Sequence, residues 1–282
     1  MGNATLTGAG WLVDEIDTGV VYINDAGTAL VSGDGTVNGI FQASSRYKFF
    51  IPGQQFIGSG NAKDRSGNSA DATLGASLTD SAAWANPGYI TTGSGVDLFA
   101  TIPSNKVAYN LATQSIIFSA RVKKAAAASA QYILGNCDTS THAGFSLDSR
   151  VSSGGVSKIK LRINNGATLA SLADSTATFF EAAATDHVVT VAIDGLTKAA
   201  YLWCDGCLSD TYTAAFTGGA LSDYPFAIGT NFGNAGVTAN AGQFSGLHLL
   251  VMTGGLPINM ALIAQRLAGN PHVYLTDADL QF

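Results

Sequence analysis

Across 282 residues the chain carries only 12% charged side chains, 14 Lys and Arg against 20 Asp and Glu, with 33 glycines, where an ordinary soluble domain holds about 25% charge. A net charge of −6 with no basic cluster larger than Lys123-Lys124 argues against nucleic-acid binding. No run approaches the ~18 consecutive apolar residues of a membrane span, and residues 1–17 lack the charged and apolar regions of a secretory signal, so synthesis in the cytoplasm is expected.

Residues 1–50 are punctuated by glycine and carry short alternating runs, Val20-Val21-Tyr22-Ile23 and Thr28-Ala29-Leu30-Val31, between the turns Asp25-Ala26-Gly27 and Gly33-Asp34-Gly35. They read as a β-arm with too few apolar residues to close a core alone, docked on the main domain or on another subunit. Ile51-Pro52-Gly53 and Gly58-Ser59-Gly60 mark a junction, so the expected division is an arm over 1–50 and a sandwich over 51–282. Strand patterns then recur at 107–110, 115–123, 131–134, 144–148 and 158–163, and again at 212–216, 226–228 and 244–252. Many short strands with turns between them imply an all-β sandwich. Residues 125–130 read as an alanine-rich loop.

The stretch 186–210 reads as two strands and the opening of a third, each of the first two closed by Asp-Gly. A turn over Asp194–Thr197 sets Val189 opposite Leu202 and Val191 opposite Ala200. Val189, Val191, Ile193, Leu202 and Cys204 then share one face, and Thr190, Tyr201 and Trp203 the other. Cys204 and Cys207 flank the second turn directly opposed, within reach of a disulfide that would add little stability because its loop is so short. Near the end, Pro257 starts a helix with Met260, Ile263, Ala264 and Leu267 on its core stripe, and Gly269 is its expected left-handed stop.

Six motifs in order support a resemblance. They are Asp64-Arg65-Ser66-Gly67-Asn68-Ser69-Ala70-Asp71-Ala72-Thr73-Leu74, Ser115–Lys123, Ile133-Leu134-Gly135-Asn136, Gly144-Phe145-Ser146-Leu147, the hairpin with Tyr201-Leu202-Trp203, and Phe226-Ala227-Ile228-Gly229. In this order they resemble the laminin-G-like domains of the concanavalin A-like lectin/glucanase superfamily. The resemblance implies a jelly-roll β-sandwich with a short helix after the last strand. Some laminin-G-like and pentraxin-like domains hold calcium, and here Asp64, Asn68 and Asp71 would offer the oxygen ligands.

The superfamily includes glucanases, whose catalytic members resemble one another in an E-x-D-x-E strand. This chain has two glutamates, Glu15 and Glu181, and no such strand. No G-x-S-x-G elbow is present, and His187 and His248 in strand patterns read as structural. Cys204-Asp205-Gly206-Cys207 lacks the helix N-terminus of a redox motif and the second C-x-x-C of a zinc ribbon. The expectation is a non-enzymatic, homo-oligomeric protein in which Tyr201 and Trp203 either pack against a neighbouring layer or stack a surface glycan. The low-charge composition and the β-arm also resemble bacteriophage virion proteins, with the arm anchoring to other virion proteins. The alternatives are a bacterial lectin or adhesin module and, third, a glycoside hydrolase.

Overall fold

The computed structural model describes residues 44–53, 61–79, 83, 89–126, 131–137, 141–151, 156–222, 224–230, 241–273 and 275–282, with the strand backbones at 12–16, 19–23, 30–32 and 238–239. The body is a jelly-roll sandwich of two antiparallel sheets. In the first sheet the strand order is Cys207–Tyr212, Ala200–Cys204, Thr185–Ile193, Gln114–Lys124, Gly242–Thr253 and Tyr47–Ile51, with Ile90–Thr92 also paired to Gly242–Thr253. The second sheet has nine strands and is led by Leu169–Asp174, Val156–Asn164, Gly144–Val151, Gln131–Gly135 and Phe226–Ile228.

Period-two alternation decides which side chains face inward. Ile116, Phe118, Ala120, Val189, Val191, Ile193 and Leu202 from the first sheet meet Phe145, Leu147, Ile159, Leu161 and Ile163 from the second. At the centre the Phe118, Phe145 and Phe226 rings stand 5.4–5.8 Å apart, tilted against one another as aromatic quadrupoles prefer.

A third layer covers the outer face of the first sheet. Here the helix Met260–Gly269 and the tail after it bury Tyr47, Phe50, Ile117, Ala192, Trp203, Leu250 and Met252. Met260, Ile263, Ala264 and Leu267 face inward as the helical spacing predicts. The start and stop signals differ: Pro257 lies before the helix, and Gly269 ends it without entering the left-handed region, the chain leaving through an extended Asn270. A relay fixes this layer to the sheet. The Leu275 N–H donates to Tyr47 Oη (3.0 Å), Tyr47 O–H to His248 Nδ1 (2.9 Å), and His248 Nε2–H to the Pro271 carbonyl (2.8 Å). Gly246 makes room for that segment. It has φ +53 at a break in the strand register, and a Cβ there would stand 2.4 Å from the Pro271 oxygen.

Two expected boundaries shift. In the central hairpin, Val189 pairs with Cys204, Val191 with Leu202 and Ile193 with Ala200, two residues from the expected register. The connection is longer than four residues because Asp194 Oδ1 accepts from Leu196 N–H and Thr197 N–H, while Ser115 Oγ accepts from Gly195 N–H. A shift of two leaves every side chain on its expected face.

The arm forms its own three-stranded sheet from Leu12–Ile16, Gly19–Ile23 and Leu30–Ser32, but the division at residue 50 cuts through Tyr47–Ile51, a strand of the sandwich. The docking of the arm's side chains lies outside the described residues. A chain beginning at Ser44 is expected to keep its urea midpoint. One beginning at Phe49 loses Tyr47 and its relay and should drop by about 3 kcal/mol or more. Equal loss in both truncations would show that the arm completes the core.

Candidate functional site

The expected sugar platform is a packing surface. Trp203 is 4% exposed, enclosed with Met260, Ile263, Ala264 and Leu267 beneath the helix. Half-buried Tyr201 packs on the same cluster with its ring 5.9 Å from the indole. The helix was legible in the sequence, but not that it lies on this face, so Trp203 has no free face for a sugar.

The carboxylates among the expected calcium ligands already accept hydrogen bonds from the protein. Asp64 Oδ1 accepts from Phe50 N–H (2.8 Å) and Ser66 N–H (2.9 Å), and Oδ2 from Ser66 O–H (2.8 Å) and Ala70 N–H (3.0 Å). Asp71 accepts from Asp64 N–H (2.9 Å) and Lys63 (2.5 Å), while the Asn68 amide donates to the Tyr47 carbonyl (2.6 Å). Backbone donors and Lys63 hold these oxygens where a calcium ion needs several free oxygens converging. Asp64 and Asn68 pin their loop to the Tyr47–Ile51 strand.

Cys204 and Cys207 are directly opposed across Asp205-Gly206, whose positive φ values (+50 and +78) make the tight reversal. Of the two readings, a disulfide or two thiols, the structure has the thiols: both are free, Cys204 half-buried and Cys207 exposed. Burial, then the charge and hydrogen bond of Asp205, push the Cys204 thiol up to about 12. In this the thiol differs from the low-pKa thiolates of nucleophilic or redox cysteines. Asp205 also receives His187 Nδ1 at 2.7 Å and Val188 N–H at 2.8 Å. The hydrogen bond to Asp205 raises the His187 pKa above its ordinary value. Both strand histidines are thus hydrogen-bonded, as their sequence context suggests.

The sparse charge of this chain is concentrated elsewhere. With Phe145, Leu147, Ile159, Leu161 and Ile163 turned to the core, the alternate residues of the two neighbouring strands face outward. These are Ser146, Asp148 and Arg150 on one strand and Lys158, Lys160 and Arg162 on the next. Arg150 and Lys158 are directly opposite, and like charges so placed repel. Asp174 on the outer neighbouring strand reaches both Lys160 (3.2 Å) and Arg150 (3.7 Å), while Lys158 has no ion-pair partner among the described residues.

Arg162 hydrogen-bonds Asp148 and lies over the Tyr132 ring at 5.5 Å. Asp148 is 2% exposed, and its Oδ1, like the adjacent Ser146 Oγ, has no hydrogen-bond partner among the described residues. Burial pushes Asp148 up to about 6 despite the opposing pull of Arg162. Four cations against two carboxylates, with an aromatic ring and unsatisfied polar atoms at the floor, form a face suited to an anionic, hydroxyl-rich ligand. The signal was present in the sequence as the alternation Lys158, Lys160, Arg162.

No protein-family profile matches the chain, and no curated protein matches it. Solved structures do. The binding domain of Paraclostridial Mosquitocidal Protein 1 aligns with TM-score 0.54 at 13% identity, over 79% of this chain and 52% of that one. The Botulinum Neurotoxin serotype G binding domain aligns with TM-score 0.55 at 12% identity, over 79% and 50%. The serotype D ligand binding domain, solved in complex with N-acetylneuraminic acid, aligns with TM-score 0.52 at 12% identity, over 79% and 52%. The present chain therefore spans about half the length of these structures. At such identities the likeness establishes the fold, a jelly-roll β-sandwich, and nothing of the ligand. No helix among the described residues is long and apolar enough to cross a membrane.

Proposed function

We propose that this chain is a non-enzymatic binding module that takes an anionic glycan on the outer face of the second sheet, with Arg150, Lys158 and Lys160 meeting the acidic group. The like-charged cross-strand pair Arg150 and Lys158, of which only Arg150 reaches a carboxylate, carries this reading, because a bound carboxylate or sulfate would neutralise the pair. Tyr132 and Arg162 beside them supply an aromatic face and a planar donor. The arm sheet, separate from both sandwich sheets in its pairing, is the attachment device. In this reading it carries the laminin-G-like sandwich on a larger assembly, for which the low-charge composition suggests a bacteriophage virion.

Glycan-array and titration measurements with sialylated, sulfated and neutral oligosaccharides test the binding half. Preference for the acidic sugars is expected, weakening as salt rises. Lys158→Glu should cut that affinity by about tenfold or more while stabilising the fold by up to about 0.5 kcal/mol, since it converts a like-charge pair into an opposite one. Equal binding of neutral sugars, unaffected by Lys158→Glu, would overturn the assignment of the face. Release of reducing ends from any bound polysaccharide would overturn the non-enzymatic reading. Association of the full chain, but not of a chain beginning at Ser44, with virion proteins would support the attachment role; association with a bacterial surface instead would point to an adhesin.

A further inference from the structure

We propose that His187, Cys204 and Asp205 form a binding site for a divalent transition metal of the zinc class. The site stands apart from the cationic face and does not depend on it. Residues far apart in sequence meet here. The Thr185–Ile193 strand brings His187 beside the hairpin turn that carries Cys204 and Asp205, because Val189 pairs with Cys204 and Val188 with Asp205. The ligand atoms of all three side chains lie within 4.8 Å of one another. His187 Nδ1 is 2.7 Å and Cys204 Sγ 3.8 Å from Asp205 Oδ2. Ligand atoms around a tetrahedral zinc stand about 3.4–3.7 Å apart, given Zn–N and Zn–O bonds near 2.1 Å and Zn–S near 2.3 Å. The cluster brackets that spacing, and side-chain adjustments of up to about an ångström would reach it.

The surroundings suit a ligating histidine. His187 Nε2 lies 3.2 Å from Thr185 Oγ1, so in the metal-bound form an Nε2–H donating to that hydroxyl would leave Nδ1, which otherwise donates to Asp205, free to ligate. Thr185 is thus a positioning residue. Phe179 packs edge-on at 6.3 Å from the imidazole, giving one side of the site an apolar wall. Solvent reaches the other side, where the Asp205 side chain is 51% exposed. This leaves a path for the ion and a fourth position for water.

Imidazole, thiolate and carboxylate together favour zinc or cobalt over calcium or magnesium, which take oxygen. On binding, the metal–sulfur bond replaces the S–H bond of Cys204 and that proton passes to buffer. The Nδ1 proton that His187 shares with Asp205 is displaced as well, to Nε2 in the neutral imidazole or to buffer from the imidazolium, and the freed Nδ1 and carboxylate oxygen each bond the ion. Next to Asp205 the thiol holds its proton, whereas a dication in the same space reverses the local field and stabilises the thiolate.

Cobalt(II) titration of the reduced full-length chain reads this directly. One equivalent is expected to bind with a thiolate-to-cobalt charge-transfer band, and zinc should displace it. Cys204→Ser should abolish the band. His187→Gln should weaken binding by about 100-fold or more, and Thr185→Val by about tenfold. Cys207→Ser should keep the band. Circular dichroism and the urea midpoint confirm that each variant is folded, and zinc should raise the melting temperature of the wild type but not of Cys204→Ser. No charge-transfer band in the folded wild type, or a band that survives Cys204→Ser, would overturn the site and leave an ordinary histidine–aspartate pair.

Discussion

Trp203→Ala is expected to destabilise the chain by about 3–5 kcal/mol, the loss usual for truncating a large buried aromatic. The indole sits in a cluster made from both the sheet and the helix, so its removal leaves a cavity that neither layer can close alone. Collapse is further limited because Gly206, at the tip of the next hairpin, already touches the helix: a Cβ there would stand 2.9 Å from Gln265 Cα. Urea denaturation checks the figure, with the slope unchanged if only stability is altered. A loss below about 1 kcal/mol would mean that the helix does not hold the indole. The folded fraction of this variant should bind glycan as the wild type does, because the platform is not where the ligand sits.

A second large effect lies in the dependence of stability on pH. Asp148 has its folded-state pKa raised from 3.8 to about 6, a gap worth about 3 kcal/mol. Below about pH 4 both folded and unfolded chains hold this proton. As pH climbs towards 6 the unfolded chain releases it while the folded one keeps it, so stability falls across that window. His248 works in the opposite sense. Full burial lowers its pKa from 6.5 to about 4, so stability is complete above 6.5 and declines by about 3 kcal/mol as pH falls towards 4.

The two slopes nearly offset one another between pH 4 and 6. Asp148→Asn removes one of them. It is expected to raise stability at pH 7 by about 2–3 kcal/mol and to uncover the His248 slope, seen as steep loss below pH 6. Urea midpoints at pH 4, 5, 6 and 7 for both proteins isolate the difference from other carboxylates. No gain at pH 7 would show that Arg162 already compensates the ionised Asp148 in full.

Local signals were legible where each residue acts through its own neighbours. Alternation in Ser115–Lys123 and Lys158–Ile163 located their strands, and Asp205-Gly206 its turn. The register of the hairpin was not legible, since Ser115 from a distant strand helps to hold the loop after Asp194. Tyr47–Ile51 was missed because its consecutive apolar residues, buried on both faces beneath two layers, show no period of two. Leu169–Asp174 is a largely exposed edge strand with little apolar signal. At the sites the failures share a cause. Asp64 looks like a free ligand in sequence and Trp203 like a free face, but each is occupied by partners brought from elsewhere in the chain. His187 and Cys204 became neighbours only through strand pairing.

The corner where the body begins has a mechanical consequence. Ser44 N–H donates to the Leu275 carbonyl at 2.9 Å, its hydroxyl bonds Asp277, and Arg46 lies over the Phe282 ring at 4.4 Å. Tension entering through the arm and returning through the tail would therefore pass across this small clasp without crossing the sandwich. The clasp would yield first, opening like a zipper one bond at a time, while the sheet ladders stay unloaded. For the same reason the chain should tolerate rewiring: a short linker from residue 282 to residue 44, with new ends opened in a surface loop, would leave both sheets intact.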